Sequence, residues 1–415
     1  MRTIFKNVVI FGLMLTGLNF YAQNKRSLDN YRQPDKHGVN VFEAPKDTVS
    51  TFDGVKVRVG GASTLQFQAL DHDNSGAVPL VELAKNFNLA TANLDLDVAL
   101  ADGVRMHLRT YLSSRHHPEP YVKGGYFQID KLDFISEGLL SDFMKHATIK
   151  IGHMENNYGD AHFRRSDNAQ AMFNPFVGNL IMDAFTTEVG AELYYRTDMG
   201  LFGMVGFANG KLNQSTVKND ANGASFLAKL GYDDQITEDL RFRLTGSIYT
   251  TGSVASSYLY SADRTGSRYY HVMQAADASR DDFRSGRYNP KFGNKVTALM
   301  FNPFVKFKGL EFFGTVELAN GRNFSEVDRR HADQYAGELV YRFGHTENFY
   351  VGGRYNAVNA EEGDISRYNF AAGWFMTNNI LLKAEYMNQD YDNGFAGALE
   401  DGEFNGFMLE AVISF

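Results

Sequence analysis

Tyr158 to Phe185 carries an adjacent basic pair, Arg164-Arg165, just ahead of MFNPFVGNLIM, a run too apolar to lie in water. Such a segment must pack against something. If it folds into a narrow passage, the two guanidinium groups stand where a low local dielectric makes fixed cations most effective at lowering the barrier for anions. A lid over the mouth of the molecule, with both arginines solvated, is the competing arrangement.

A second pattern lies in DHDNSGAVPLVE (71–82). Asp71, Asp73 and Ser75 occupy positions one, three and five of a twelve-residue loop, with Gly76 at six and Glu82 at twelve. That is the spacing with which oxygen ligands wrap a calcium ion around a glycine turn. Flanking helices are missing and Pro79 is unusual at position nine, so an Asx-rich turn without an ion is the preferred reading. His116 and His117 are adjacent in RHHPEP (115–120), but side chains alternate in an extended segment and do not converge on one metal. His153, Asn156, Asn157 and Ser166 can be assembled on paper into a hydrolytic constellation, yet no nucleophile motif supports it. The chain is read as a non-enzyme with no obligatory cofactor.

The elements that position these residues have a period of two. ANLDLDVAL (92–100) sets Leu94, Leu96, Val98 and Leu100 against Asp95 and Asp97, and VRMHLRTYL (104–112) sets Val104, Met106 and Leu108 against Arg105, His107 and Arg109. The same alternation returns to the last residue, where Phe407, Leu409, Ala411, Ile413 and Phe415 share one face. Strands of this kind have one lipid-facing and one polar face. Minimal turns alternate with longer polar connections near 71–86, 113–121, 155–184, 209–223, 250–295, 320–332, 358–365 and 391–403. Eight long loops and seven short turns predict about sixteen strands in a transmembrane antiparallel β-barrel, all-β, with its short turns on the periplasmic side. Aromatic residues recur beside those turns, at Tyr195, Tyr232, Phe307, Phe343, Phe349 and Trp374, where an interfacial girdle belongs.

Composition agrees. The chain has 34 Phe, 22 Tyr and 39 Gly but only 8 Pro and no Cys, which excludes disulfides, thiol nucleophiles and a lipid-modified cysteine. Residues 1–22 read as a secretory signal, with Arg2 and Lys6 before an apolar core from Val8 to Leu18 and cleavage after Ala22. Removing the signal leaves 39 basic against 49 acidic residues, a balance of −10 that argues against nucleic acid as a partner. Residues 23–53 read as a flexible periplasmic segment, and 54–415 as the barrel, with 155–184 as its constriction loop. Alternation assigns to the lumen a mixed set of charges with a modest basic excess. Arg164, Arg165, Arg105, Arg109, Lys150, Arg196, Arg243 and Arg354 are its candidate channel-lining cations.

On this layout, on IKIGHMENNYGD (149–160) entering a long third loop, and on the closing strand FNGFMLEAVISF, the chain resembles the sixteen-stranded porins of Gram-negative bacteria. It is most similar to the phosphate-selective porin O and P family and its Bacteroidetes relatives. The resemblance covers about residues 54–415 and implies an outer-membrane homotrimer in contact with lipid, each barrel holding its own pore narrowed by the third loop. The expected function is passive diffusion of small polar solutes, with weak anion preference. A structural or adhesive barrel with an occluded lumen is the alternative. Dedicated phosphate binding would need an arginine ladder and a lysine cluster, and is not carried over.

Overall fold

The computed structural model describes residues 28–113, 117–166, 168–209, 217, 221–261, 270–279 and 281–415. The expected signal and cleavage point lie outside these residues, as does His116. The described strands are β1 (Lys56–Asp73), β2 (Asn86–Ala101), β3 (Val104–Ser113), β4 (His117–Ile129), β5 (Ala147–Glu155), β6 (Thr187–Arg196), β7 (Leu201–Ala208) and β8 (Ser225–Gln235). They continue through β9 (Leu240–Thr251), β10 (Lys295–Phe307), β11 (Leu310–Arg322), β12 (Arg330–Phe343), β13 (Phe349–Ala360), β14 (Gly363–Thr377), β15 (Ile380–Asp392) and β16 (Glu403–Ser414).

Each strand pairs antiparallel with its chain neighbours, and β1 pairs with β16 from Ala62↔Ser414 to Asp73↔Glu403, closing a sixteen-stranded barrel. Closure satisfies the backbone without leaving an edge, the condition for strands to cross lipid. The alternation read from the sequence sorts the two faces. In β14, Arg367, Asn369 and Phe375 are buried while Tyr368, Phe370, Trp374 and Met376 are exposed. In β16, Phe407, Leu409, Ile413 and Phe415 point outward. Apolar outside and polar inside inverts the pattern of a water-soluble domain, so the outer band is a lipid-facing surface. Its periplasmic margin is aromatic: Phe343, Phe349 and Trp374 stack across three adjacent strands at centroid separations of 5.8 and 5.9 Å.

Two expectations about connections change. The loop expected at 358–365 is only the two residues between β13 and β14, and that at 113–121 shrinks because β4 begins at His117. Above the membrane the wall continues with its faces inverted, Asn359 and Asp364 pairing on the outer face and Val358 and Ile365 buried on the inner one. Pairing and alternation persist there, with the apolar side turned inward. Conversely, one periplasmic connection is long: residues 130–146 join β4 to β5 and contain a single helical turn, α1 (Ser141–Met144).

Candidate functional site in the lumen

The third loop folds inward. Phe176, Val177, Ile181 and Met182 are fully buried, and burying backbone away from water obliges every amide to find a partner. The wall supplies those partners. Val177 N–H donates to Glu385 of β15 at 2.8 Å, Ile181 N–H to Asn356 of β13 at 2.7 Å, and Met182 N–H to Gln334 of β12 at 2.8 Å. Lys383 donates to the carbonyls of Ala171, Asn174 and Phe176, and Arg354 to that of Gly178 at 2.9 Å. Wall groups that alternation assigns to the lumen are therefore the sockets of this loop.

The connection between β9 and β10 joins it from the extracellular side. Tyr260 donates to Glu317 at 2.7 Å beside Tyr158, which donates to the same carboxylate at 3.0 Å. Tyr270 donates to Glu385 at 2.7 Å.

The larger surprise is the N-terminal segment. Residues 23–53 were expected to be a flexible lead-in, but the described part, from residue 28, runs into the periplasmic end of the barrel and packs there. Leu28 and Phe42 are buried, and Asn40 donates to Glu311 at 2.6 Å. Arg105 donates to the carbonyl of Asn30 at 3.4 Å and Arg241 to that of Asn40 at 2.8 Å. Glu43 lies 2.9 Å from Arg243 and 3.5 Å from Lys229, in a cluster that Asp160 completes at 2.8 and 3.0 Å from the same two cations. Burial alone would raise the Glu43 carboxyl, but Arg243, Lys229 and Arg196 hold it well below the ordinary carboxylate range. Burial, then Lys229, pushes the nearby His162 imidazole well down, leaving it neutral against Asn157. No periodicity marks the segment because its partners are lumen side chains, not a neighbouring strand.

These contacts redistribute the candidate cations. Arg164 pairs with Glu338 at 3.0 Å and bonds Asn40 at 2.6 Å, while Arg165 grips Asp183 at 2.6 Å; both are buried. Arg243 is committed to Glu43 and Asp160, and Arg354 to Glu338 at 2.8 Å. Arg196 is half-buried, 3.9 Å from Glu43. The expected cationic constriction at Arg164-Arg165 is thus a buried ionic brace, because the loop brings its own carboxylate, Asp183, and meets another on the wall.

Arg105, Arg109 and Lys150 do come together, around a cavity of about 150 Å³ between the third loop, the N-terminal segment and the β3–β6 wall. Lys123 and Arg32 join them, and Glu155 is the carboxylate among the lining residues. Arg109 is held bidentate by Asp95 at 2.7 Å, and Arg105 lies 3.4 Å from Asp97. Lys150 instead sits over the rings of Tyr126 and Tyr194 at 5.6 and 5.0 Å, a placement that stabilises a cation without neutralising it. Sequence reasoning missed Lys123 for a definable reason. The ladder slips between Arg109↔Gly124 and Thr110↔Val122, so Lys123 falls in a bulge where alternation does not apply.

Outside the lumen, the calcium spacing is not realised as a ligand sphere. Asp71 and Asp73 lie in β1 opposite Asn405 and Glu403, and the Ser75 hydroxyl donates to Asp401 at 2.8 Å. No group of three or more metal-ligating side chains occurs among the described residues. β1 runs through positions one to three of the spacing, from Asp71 to Asp73. Adding a chelator is expected to leave the thermal midpoint of the barrel unchanged; a fall on chelation, reversed by calcium, would restore the ion. The paper constellation is not assembled either: His153 bonds Thr187 at 3.0 Å, while Ser166 bonds Asn174 at 2.6 Å and the carbonyl of Phe176.

No protein-family model and no curated protein matches the sequence. Solved structures do match the fold. An anion-selective porin from Comamonas acidovorans aligns with a TM-score of 0.55 at 10% identity, covering 87% of this chain and 100% of that one. The outer membrane channel DcaP of Acinetobacter baumannii aligns at 0.51 and 12% identity, over 88% and 99% of the two chains. The trimer form of OmpT, an outer membrane protein of Vibrio cholerae, gives 0.51 and 12%, over 88% and 100%. The protein has the architecture of a porin-like outer-membrane barrel.

Proposed function

We propose that the protein is an outer-membrane channel for small polar solutes, with a weak anion preference set along the β3–β6 wall. The observation that carries this reading is the cavity itself. Its lining gathers Arg32, Arg105, Arg109, Lys123 and Lys150 with Glu155 as the carboxylate among them, while Asp95 holds Arg109 and Asp97 lies beside Arg105 on the neighbouring strand. The preference belongs to this wall and not to Arg164-Arg165. An anion-selective porin among the structural neighbours supports the assignment, and a trimer form of another supports a homotrimer here. A closer relation to the porin O and P family of Bacteroidetes belongs to the same proposal and rests on strand layout and the third loop.

One observation favours the alternative of an occluded, structural barrel: Arg164, Arg165, Arg243 and Arg354 are all buried in ion pairs. Planar-bilayer recordings decide between the two. The channel reading expects steps of conductance and an anion-directed reversal potential in a salt gradient. No conductance, either from the intact chain or after removal of its N-terminal segment, would leave the occluded barrel.

The substitution Lys150→Glu tests the wall. A unit charge ~5 Å from a passing anion, in an effective dielectric near ~20, is worth about 3 kcal/mol before screening. A residual of about 1.4 kcal/mol already changes a permeability ratio tenfold. The variant is expected to move the reversal potential toward cations by about that factor. An unchanged potential would remove Lys150 from the path.

A further inference from the structure

The long periplasmic connection, residues 130–146, packs on the outside of the barrel. Met144 of α1 is buried with Ile129 and Ala147, against the partly buried Leu132 and Ile149. Those wall residues face outward, since their neighbours on the same face, Phe127, Ile151 and Leu193, are exposed, while the lumen takes Gln128 and Glu192 between them. Phe143 lies against Tyr195, one of the girdle aromatics, at 5.5 Å between ring centroids, and His146 meets the same ring at 5.6 Å.

The connection is built, not loose. Ile135, Leu139, Met144 and Lys145 donate to Leu132, Ser136, Leu140 and Ser141 carbonyls, and Gly138 N–H donates to Asp133. Yet this folded unit buries little of its own apolar surface. Phe134, Ile135, Leu139, Leu140 and, beyond its contact with Tyr195, Phe143 are exposed, Ile135 by 63% and Leu140 by 59%. A contiguous exposed patch of this kind marks a contact surface.

We infer that residues 132–143 form a foot inserted into the periplasmic leaflet of the membrane that the barrel spans, with lipid acyl chains and their interfacial region as its occupant. Continuity argues for lipid over a protein partner: through the contact of Phe143 with Tyr195 the patch meets an exposed aromatic of the lipid-facing wall. Strand length argues for it as well. β5, β6 and β7 span only 9, 10 and 8 residues, at or below the ~9–11 that a tilted strand needs to cross a bilayer. The foot extends the apolar band where the wall is shortest. Charge selects the kind of lipid. Lys131 and Lys145 stand against Asp133, Glu137 and Asp142, so the contact has no cationic excess and needs no anionic headgroup.

The chain has no cysteine, so single labelling sites are unambiguous. The full chain carrying Leu140→Cys or Ile135→Cys, labelled with an environment-sensitive fluorophore, is reconstituted into phosphatidylcholine–phosphatidylethanolamine vesicles. Glu238→Cys, in the turn between β8 and β9, is the reference, and β-sheet circular dichroism verifies folding of each variant. Quenching by lipids carrying a shallow nitroxide, with protection from aqueous iodide, is expected at 140 and 135 but not at 238. Iodide quenching at 140 and 135 equal to that at 238 would overturn the inference. So would protection that appears only as the protein-to-lipid ratio rises, which would assign the patch to a second copy of the chain.

Discussion

Deleting residues 28–49 is expected to raise single-channel conductance severalfold and to strengthen anion preference. The segment contributes Tyr31, Arg32, Gln33, Pro34, Phe42 and Ala44 to the lining of the basic cavity, so its removal widens the passage at the periplasmic end. It also carries Glu43, the carboxylate facing Arg243 and Lys229. Without it those cations keep Asp160 as a partner but lose one carboxylate, and water takes its place. The barrel ladder contains none of the deleted residues, so the wall is expected to assemble. The measurement is the step size and reversal potential in planar bilayers, deletion against full chain. Equal steps would show that the segment lies off the conducting path.

The second large effect is expected from Glu43→Ala. Removing one member of a buried charge cluster leaves its partners uncompensated, at a cost of about 3–5 kcal/mol. Asp160 still faces both Arg243 and Lys229, which places the expected loss at the lower end. Because the segment is held mainly by such contacts, that loss appears as undocking, read by faster tryptic cleavage after Arg32 and Lys36. The pH dependence has a definite sign. Docking holds the Glu43 carboxyl well below its ordinary value of 4.5, so the contribution is complete above that value and is lost as pH falls through the depressed one. Docking in the full chain is therefore expected to be independent of pH through the neutral range and to weaken only in strong acid, where cleavage by pepsin replaces trypsin as the readout. In Glu43→Ala that acid step should be diminished. An identical acid step in the variant would assign it to another carboxylate.

Much of the wall was legible from local sequence because the physics of the wall is local. Leu94, Asp95, Leu96 and Asp97 reveal their faces within four residues, and the girdle residues reveal theirs by standing next to turns. The inward path of the third loop was legible from one non-local demand, that MFNPFVGNLIM escape water. What it pairs with was not, since Val177 finds Glu385 at a separation of 208 positions and Glu43 finds Arg243 at 200. Local alternation could name lumen-facing cations but not the carboxylates that each one meets. Arg164 and Arg165 looked free because their partners, Glu338 and Asp183, carry no local mark. The N-terminal segment was the deepest miss: it lacks periodicity, which in isolation is indistinguishable from a flexible tail.

The closing ladder also dictates an order of events. Gln66 bonds Glu410 across 344 positions, so the β1–β16 seam joins the two ends of the barrel and its loop-closure entropy is recovered only when the other fifteen seams exist. Before that moment the cylinder is an open sheet, and the third loop can swing into its concave side freely. Afterwards the loop can enter only through the extracellular mouth that its own tethers border. The N-terminal segment differs in having one tethered end, so it can thread in from the periplasm after the seam has formed. Maturation of the lumen is thus expected to proceed in two stages, a slow closure of the wall and a separate, reversible docking of the segment.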